Sequence, residues 1–168
     1  KDAVATRSLE LSESETRYLI DSQLRKAGWD ADTQNLTFAN GVRPQKGRNI
    51  AIAEWPTGKD ETGKPGFADY VLFAGLIPVG VVEAKKANTD VSAKLSEAYR
   101  YSKYFDISFL RHELEQAAKD DEQMQHIADI FKAGLPTWAD SSGKVHFKIP
   151  FCFSANGREY RAAMKTKS

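Results

Sequence analysis

Three charged side chains, Asp69, Glu83 and Lys85, interrupt an otherwise apolar stretch, FADYVLFAGLIPVGVVEAKK, at positions 67–86. The stretch reads as two strands joined by a short turn. Side chains alternate faces along a strand, so Glu83 and Lys85, two apart, point to one side. A turn centred on Leu76 sets position 69 opposite position 83 and brings the two carboxylates together. Like charges opposite one another destabilise a sheet, so this pair calls for a cation between them. A divalent metal with oxygen ligands meets that need, because Mg²⁺ is commonly held by one or two carboxylates plus water and phosphate. The plainer alternative is a solvated Asp69 and an ordinary Glu83–Lys85 ion pair. The VGVV run before Glu83 is too apolar for a solvent-facing strand, which favours a site.

The elements that must position these groups follow from pattern. Ser12 and Glu15 form an S-x-x-E capping box for a helix over 12–27, with Leu19, Ile20, Leu24 and Ala27 on its apolar face and Gly28 as its stop. RNIAIAEW (48–55) reads as a strand, and PTGKDETGKPG (56–66) as a polar loop before the hairpin. Helical spacing returns over 91–104 and again over roughly 109–132, and FKIPFCFS (147–154) is a further apolar strand. The result is an α/β chain with a central mixed β-sheet flanked by helices. HELEQ (112–116) lacks the second histidine of a zinc-protease motif, which leaves His112 a surface residue.

With 168 residues, the chain is long enough for one domain with a real core. Its net charge of +1 provides no global basic field, so any nucleic-acid surface must be a local patch. The single cysteine, Cys152, excludes an internal disulfide framework and a cysteine-based zinc cluster, and its apolar neighbours favour a small buried hydrophobe. No stretch approaches the ~18 apolar residues of a membrane span, and no signal peptide is visible, so a cytoplasmic location and no membrane partner are the expectation. An ending in KTKS with no closing element suggests a piece of a longer protein.

A helix carrying Glu15, a strand carrying Asp69, E-x-K on the next strand and then a helix resemble the PD-(D/E)xK nuclease superfamily. More narrowly, ESETRYLIDSQLRKAGW (13–29), GFADYVLF (66–73), VVEAKKANTDV (81–91) and IPFCFSANGREY (149–160) resemble the amino-terminal nuclease domain of the restriction subunit of type I restriction–modification enzymes. The resemblance implies a restriction-endonuclease-like core in a single nuclease domain over 1–168, with a helical insertion at about 105–146. It implies a Mg²⁺-dependent endonuclease (Mn²⁺ as substitute) that cuts double-stranded DNA without reading bases, a type I site-specific deoxyribonuclease when joined to its motor. Asp69, Glu83 and, from the first helix, Glu15 would hold the metal, and Lys85 would position the attacking water. Glu97-Ala98-Tyr99-Arg100-Tyr101 stands where the group often has Q-x-x-x-Y, so Tyr101 is the better phosphate contact there. Lys86 is expected to be a phosphate contact or a surface residue, and Lys94, Arg100 and Lys103, with Arg43, Lys46 and Arg48 before the first strand, are candidate phosphate contacts around the same face. ATP and S-adenosylmethionine are implied only for the whole complex, since no P-loop occurs here. Implied partners are DNA and the modification and specificity subunits. The alternatives are a repair-type nuclease of the same superfamily and a catalytically silent module that docks DNA or subunits.

Overall fold

In the computed structural model the described residues are 2–59, 62–84, 101, 105–133, 137–143, 145–147, 149 and 151–155. Helix α1 (Asp2–Lys26) begins ten residues earlier than the capping box requires. The segment DAVATRSLEL is rich in good helix formers, so Ser12 and Glu15 lie inside the helix and neither caps it. The helix ends as expected. Gly28 takes φ +100, its N–H bonds the Arg25 carbonyl, and the Trp29 N–H reaches back to Leu24. That is the paired hydrogen bonding of a Schellman stop, which glycine suits because it accepts positive φ.

Five strands follow in one sheet: β1 (Asp30–Ala31), β2 (Asn49–Lys59), β3 (Pro65–Ala74), β4 (Ile77–Ala84) and β7 (Phe151–Ala155), ordered β1-β2-β3-β4-β7. Strands β2, β3 and β4 are antiparallel neighbours, while β1 and β7 join the two sides in parallel. Strand β2 overruns the expected boundary at 55 by four residues, which shrinks the polar loop. Alternation along the strands fills both faces. Ile50, Ile52, Val71, Phe73 and Val81 bury on one side, and Ala51, Ala53, Tyr70, Leu72 and Val82 on the other. Ile20 of α1 covers the second side.

The first side is covered by α2 (Ile107–Ala117) and α3 (Asp121–Ala133), whose Leu110, Leu114 and Ile127 join Trp55 and Phe73 in the larger core. The single helical stretch expected over 109–132 is therefore two helices. Ala118 turns extended, and Asp120 accepts the Gln123 N–H at 2.8 Å while Gln123 accepts the Lys119 N–H at 2.8 Å. This is a D-x-x-Q variant of reciprocal capping, and it restarts the chain as α3. The strand expected over 147–154 is also divided: β6 (Val145–Phe147) pairs with β5 (Thr137–Ala139) in a separate two-stranded sheet, and β7 joins the main one. Pro150 lies between them and has no N–H to give a ladder. The helix expected over 91–104 falls outside the described residues except at Tyr101, which is helical.

Two irregularities shape the sheet near the charged residues. Ala74 pairs with Ile77 across a turn at Gly75-Leu76, but the register shifts between Leu72 and Phe73, where Val79 is the extra residue of a bulge. Beyond it Leu72 pairs with Gly80 and Tyr70 with Val82. On β2, Glu54 has φ +54, the one non-glycine positive φ among the described residues. It is flanked by the pairs Ala53–Tyr70 and Trp55–Ala68, so Glu54 stands level with Asp69.

Candidate active site

At the level of Asp69 the ladder between β3 and β4 is carried by side chains. The Asp69 N–H donates to Glu83 Oε1 at 3.0 Å, and the Ala84 N–H donates to Asp69 Oδ2 at 2.7 Å. Each carboxylate thus takes a backbone donor from the other's strand, and the two acids are fixed side by side. Glu83 is only 2% exposed, so its carboxylate sits where an ion pair or hydrogen bond is worth far more than in water. Both acids are on strands with neighbours on each side, β3 between β2 and β4, and β4 between β3 and β7.

Among the described residues, the cation that touches Asp69 is Arg17 of α1. Its Nη2 lies 2.8 Å from Asp69 Oδ1 and 3.1 Å from Glu54 Oε1. Burial works against the guanidinium charge, but Asp69, Tyr70 and Glu54 more than offset it and raise its pKa. The positive φ of Glu54 breaks the alternation of β2: Ala53 packs on the α1 side and Trp55 on the other. A non-glycine residue held there costs on the order of 1–3 kcal/mol, and such strain clusters at functional sites.

Helix α1 is fixed to the sheet one turn further on. Asp21, 6% exposed, accepts from Tyr70 Oη at 2.8 Å, from Thr33 Oγ1 at 2.8 Å and from the Thr33 N–H at 2.9 Å. Burial pushes the Tyr70 phenol well above its ordinary value of 10.0, and its bond to Asp21 adds to the rise. Because Tyr70 is next to Asp69 and Asp21 is four residues from Arg17, this knot sets the distance between the guanidinium and the acid.

Of the residues singled out from sequence, Asp69 and Glu83 are brought together. Glu15 is exposed on α1, two residues from Arg17 and so on a different side of the helix. Among the described residues no group of three or more His, Cys, Asp or Glu side chains is placed to hold a metal ion. Lys85, Lys86, Lys94, Arg100 and Lys103 lie outside the described residues. Tyr101 packs against the larger core with its ring over Gly66, where an added Cβ would come 2.8 Å from the ring and 2.6 Å from Thr57 Oγ1.

Arg43, Lys46 and Arg48 are not around the acids. Arg43 bonds Glu113 of α2 at 2.9 Å and sits over Phe38, and Arg48 bonds Asp30. The sequence places them before Asn49, whose partner is Ala74 at the hairpin end of β3, five residues from Asp69. The residues missed from sequence are Arg17 and Glu54. A charged residue at 54 between the buried Ala53 and Trp55 was the available signal for one. For Arg17 the sequence carries no comparable signal, since its partner Asp69 is 52 positions away.

A mixed five-stranded sheet between helices, with an acid pair on adjacent inner strands, defines an α/β domain with a restriction-endonuclease-like core. A family model described as the type I restriction enzyme EcoKI endonuclease subunit second domain matches residues 30–168, and the chain belongs to that family. The type I restriction enzyme EcoKI endonuclease subunit of Escherichia coli (strain K12) is 59% identical over 167 residues, which is 99% of this chain and 14% of that relative. No solved structure matches. The chain is thus a domain of a type I restriction endonuclease subunit, and no described helix is long and apolar enough to cross a membrane.

Proposed function

We propose that this domain is the metal-dependent endonuclease module of its subunit, hydrolysing phosphodiester bonds of double-stranded DNA without sequence preference. The observation that carries the reading is the Asp69–Glu83 pair, joined by reciprocal backbone hydrogen bonds across two inner strands. The donor set fits a hard divalent cation such as Mg²⁺, with Mn²⁺ as substitute: the side chains offer only carboxylate oxygen, and with two of them the remaining positions fall to water and phosphate. Asp69 and Glu83 would hold the ion. When bound, it supplies Lewis acidity toward the phosphoryl oxygens and a bound water of lowered pKa.

The protein does the rest. The Ala84 and Asp69 N–H groups hold the two carboxylates in orientation. Lys85, from the E-x-K motif, is assigned the attacking water and the extra charge of the transition state. Lys86, Lys94, Arg100 and Lys103 are assigned to backbone phosphates, giving salt-sensitive and sequence-independent contact. Target recognition then belongs to the specificity subunit, modification to its own subunit, and ATP-driven movement to the remainder of the restriction subunit, acting in the cytoplasm.

The test uses the full-length subunit in its assembled enzyme. Asp69→Ala, Glu83→Ala and Lys85→Ala each abolish DNA cleavage while ATP hydrolysis persists. Wild-type cutting by all three variants would sink the assignment.

A further inference from the structure

The acids and E-x-K read from the sequence include no cation on α1 and no acid on β2, yet the structure puts one of each at the acid pair. A single nitrogen, Arg17 Nη2, is shared between Asp69 at 2.8 Å and Glu54 at 3.1 Å. Glu54 reaches it from a backbone conformation that side chains rarely adopt, φ +54. It stands level with Asp69 across β2 and β3, as Asp69 stands level with Glu83 across β3 and β4. Arg17 has little freedom to leave, since α1 is tied to β3 through Asp21 and Tyr70. Its Nη1 is buried without a hydrogen-bond partner among the described residues, and its guanidinium carbon lies 5.6 Å from the Tyr70 ring centroid.

We propose that Arg17 is a positioning residue that sets how strongly Asp69 holds a divalent cation, and that Glu54 sets how strongly Arg17 holds Asp69. The proposal rests on the nuclease reading above. Its physics is competition between charges. A guanidinium at hydrogen-bond distance already neutralises part of Asp69 and repels a second cation at the same carboxylate, an effect that the low effective dielectric of a half-buried site strengthens. Glu54 takes a share of that guanidinium and so leaves Asp69 more available. The arrangement keeps the acid pair charge-compensated before an ion arrives, yet holds the ion loosely enough to turn over.

The two residues therefore act with opposite signs, which a merely structural role does not produce. The measurement is Mn²⁺ titration of the full-length subunit without ATP, followed by calorimetry, alongside DNA cleavage by the assembled enzyme. Arg17→Gln tightens Mn²⁺ binding about tenfold, yet slows cleavage, because Asp69 keeps the Ala84 N–H but loses the contact that fixes its Oδ1. Glu54→Gln weakens Mn²⁺ binding, because Arg17 then rests wholly on Asp69. Arg17→Lys keeps the charge and returns the Mn²⁺ affinity toward the wild-type value. If Arg17→Gln leaves Mn²⁺ binding unchanged or weakens it together with thermal stability, the inference is overturned. Asp69→Asn separates the two levels of the argument. Cleavage retained by Asp69→Asn overturns the nuclease reading itself, whereas cleavage lost there with unaltered Mn²⁺ binding in Arg17→Gln overturns only the role of Arg17.

Discussion

Replacing Asp21 by alanine tests whether the contact between α1 and β3 is what holds the site together. Its carboxylate takes three donors at 2.8–2.9 Å: the Tyr70 hydroxyl, the Thr33 hydroxyl and the Thr33 N–H. Tyr70 is fully buried, and without Asp21 its hydroxyl is left with Thr33 Oγ1 at 2.8 Å, which exchanges a charge-assisted bond for a neutral one at a cost of about 1 kcal/mol. The Arg17 carbonyl at 3.4 Å is too far to replace it well. Thr33 is only part-buried and recovers some bonding from solvent. Adding the lost charge-assisted bonds and crediting the carboxylate's relief from burial gives a destabilisation of about 3 kcal/mol. Urea unfolding of the domain reads this as a midpoint lowered by roughly 1–3 M for typical slopes. Asp21→Asn costs about 2 kcal/mol, since both carboxylate oxygens accept and an amide can supply only one acceptor. Tyr70→Phe costs about 1 kcal/mol, because Asp21 keeps Thr33. A midpoint change below about 0.3 M for Asp21→Ala, or Tyr70→Phe costing more than Asp21→Ala, refutes the reasoning.

The raised Tyr70 pKa makes stability pH-dependent at the alkaline end. The unfolded phenol ionises near 10.0 while the folded one stays protonated, so its contribution is complete below that pH and is lost as pH climbs above it. Tyr70→Phe removes that part of the alkaline slope in denaturation followed by circular dichroism. Gly66→Ala forces a Cβ to 2.6 Å from Thr57 Oγ1 and 2.8 Å from the Tyr101 ring, an overpacking cost of about 1–3 kcal/mol. A double cycle with Tyr101→Ala shows the coupling, and strict additivity would contradict it. Leu110→Ala empties a fully buried position under the sheet and costs about 2–5 kcal/mol, whereas Phe151→Ser, on a side chain 60% exposed, changes the unfolding midpoint little.

Much of this was legible because it is local or periodic. The apolar run of 67–86 reads as a hairpin and RNIAIAEW (48–55) as a strand from local pattern alone, while the burial of Ile50 to Ala53 on both faces is set by packing. The facing of Asp69 and Glu83 came out of the symmetry about Leu76, though by a different route than a turn centred there. The turn is at Gly75-Leu76, and the bulge at Val79 makes up the difference. What escaped was set by tertiary structure. No pattern in α1 says that Arg17 meets an acid 52 positions away. Nor does any propensity announce a positive φ at Glu54. The division of the 109–132 stretch was readable after all, in Asp120 and Gln123, had the D-x-x-Q spacing been weighed against the continuing apolar period.

The parallel pairing of β4 with β7 has a topological consequence. Glu83 and Ala84 lie beside Ser154 and Ala155 of β7, running in the same direction. A chain cannot place two consecutive sheet neighbours side by side in one direction without travelling back over a face of the sheet, a return of a dozen or more residues. The chain between β4 and β7 must make that return, and among its described residues α2 and α3 belong to it. The stretch is thus not an ornament that could be trimmed away. It can grow, shrink or be rebuilt, but excising it down to a tight link would reverse or expel β7 and strip the strand bearing Glu83 of one flank.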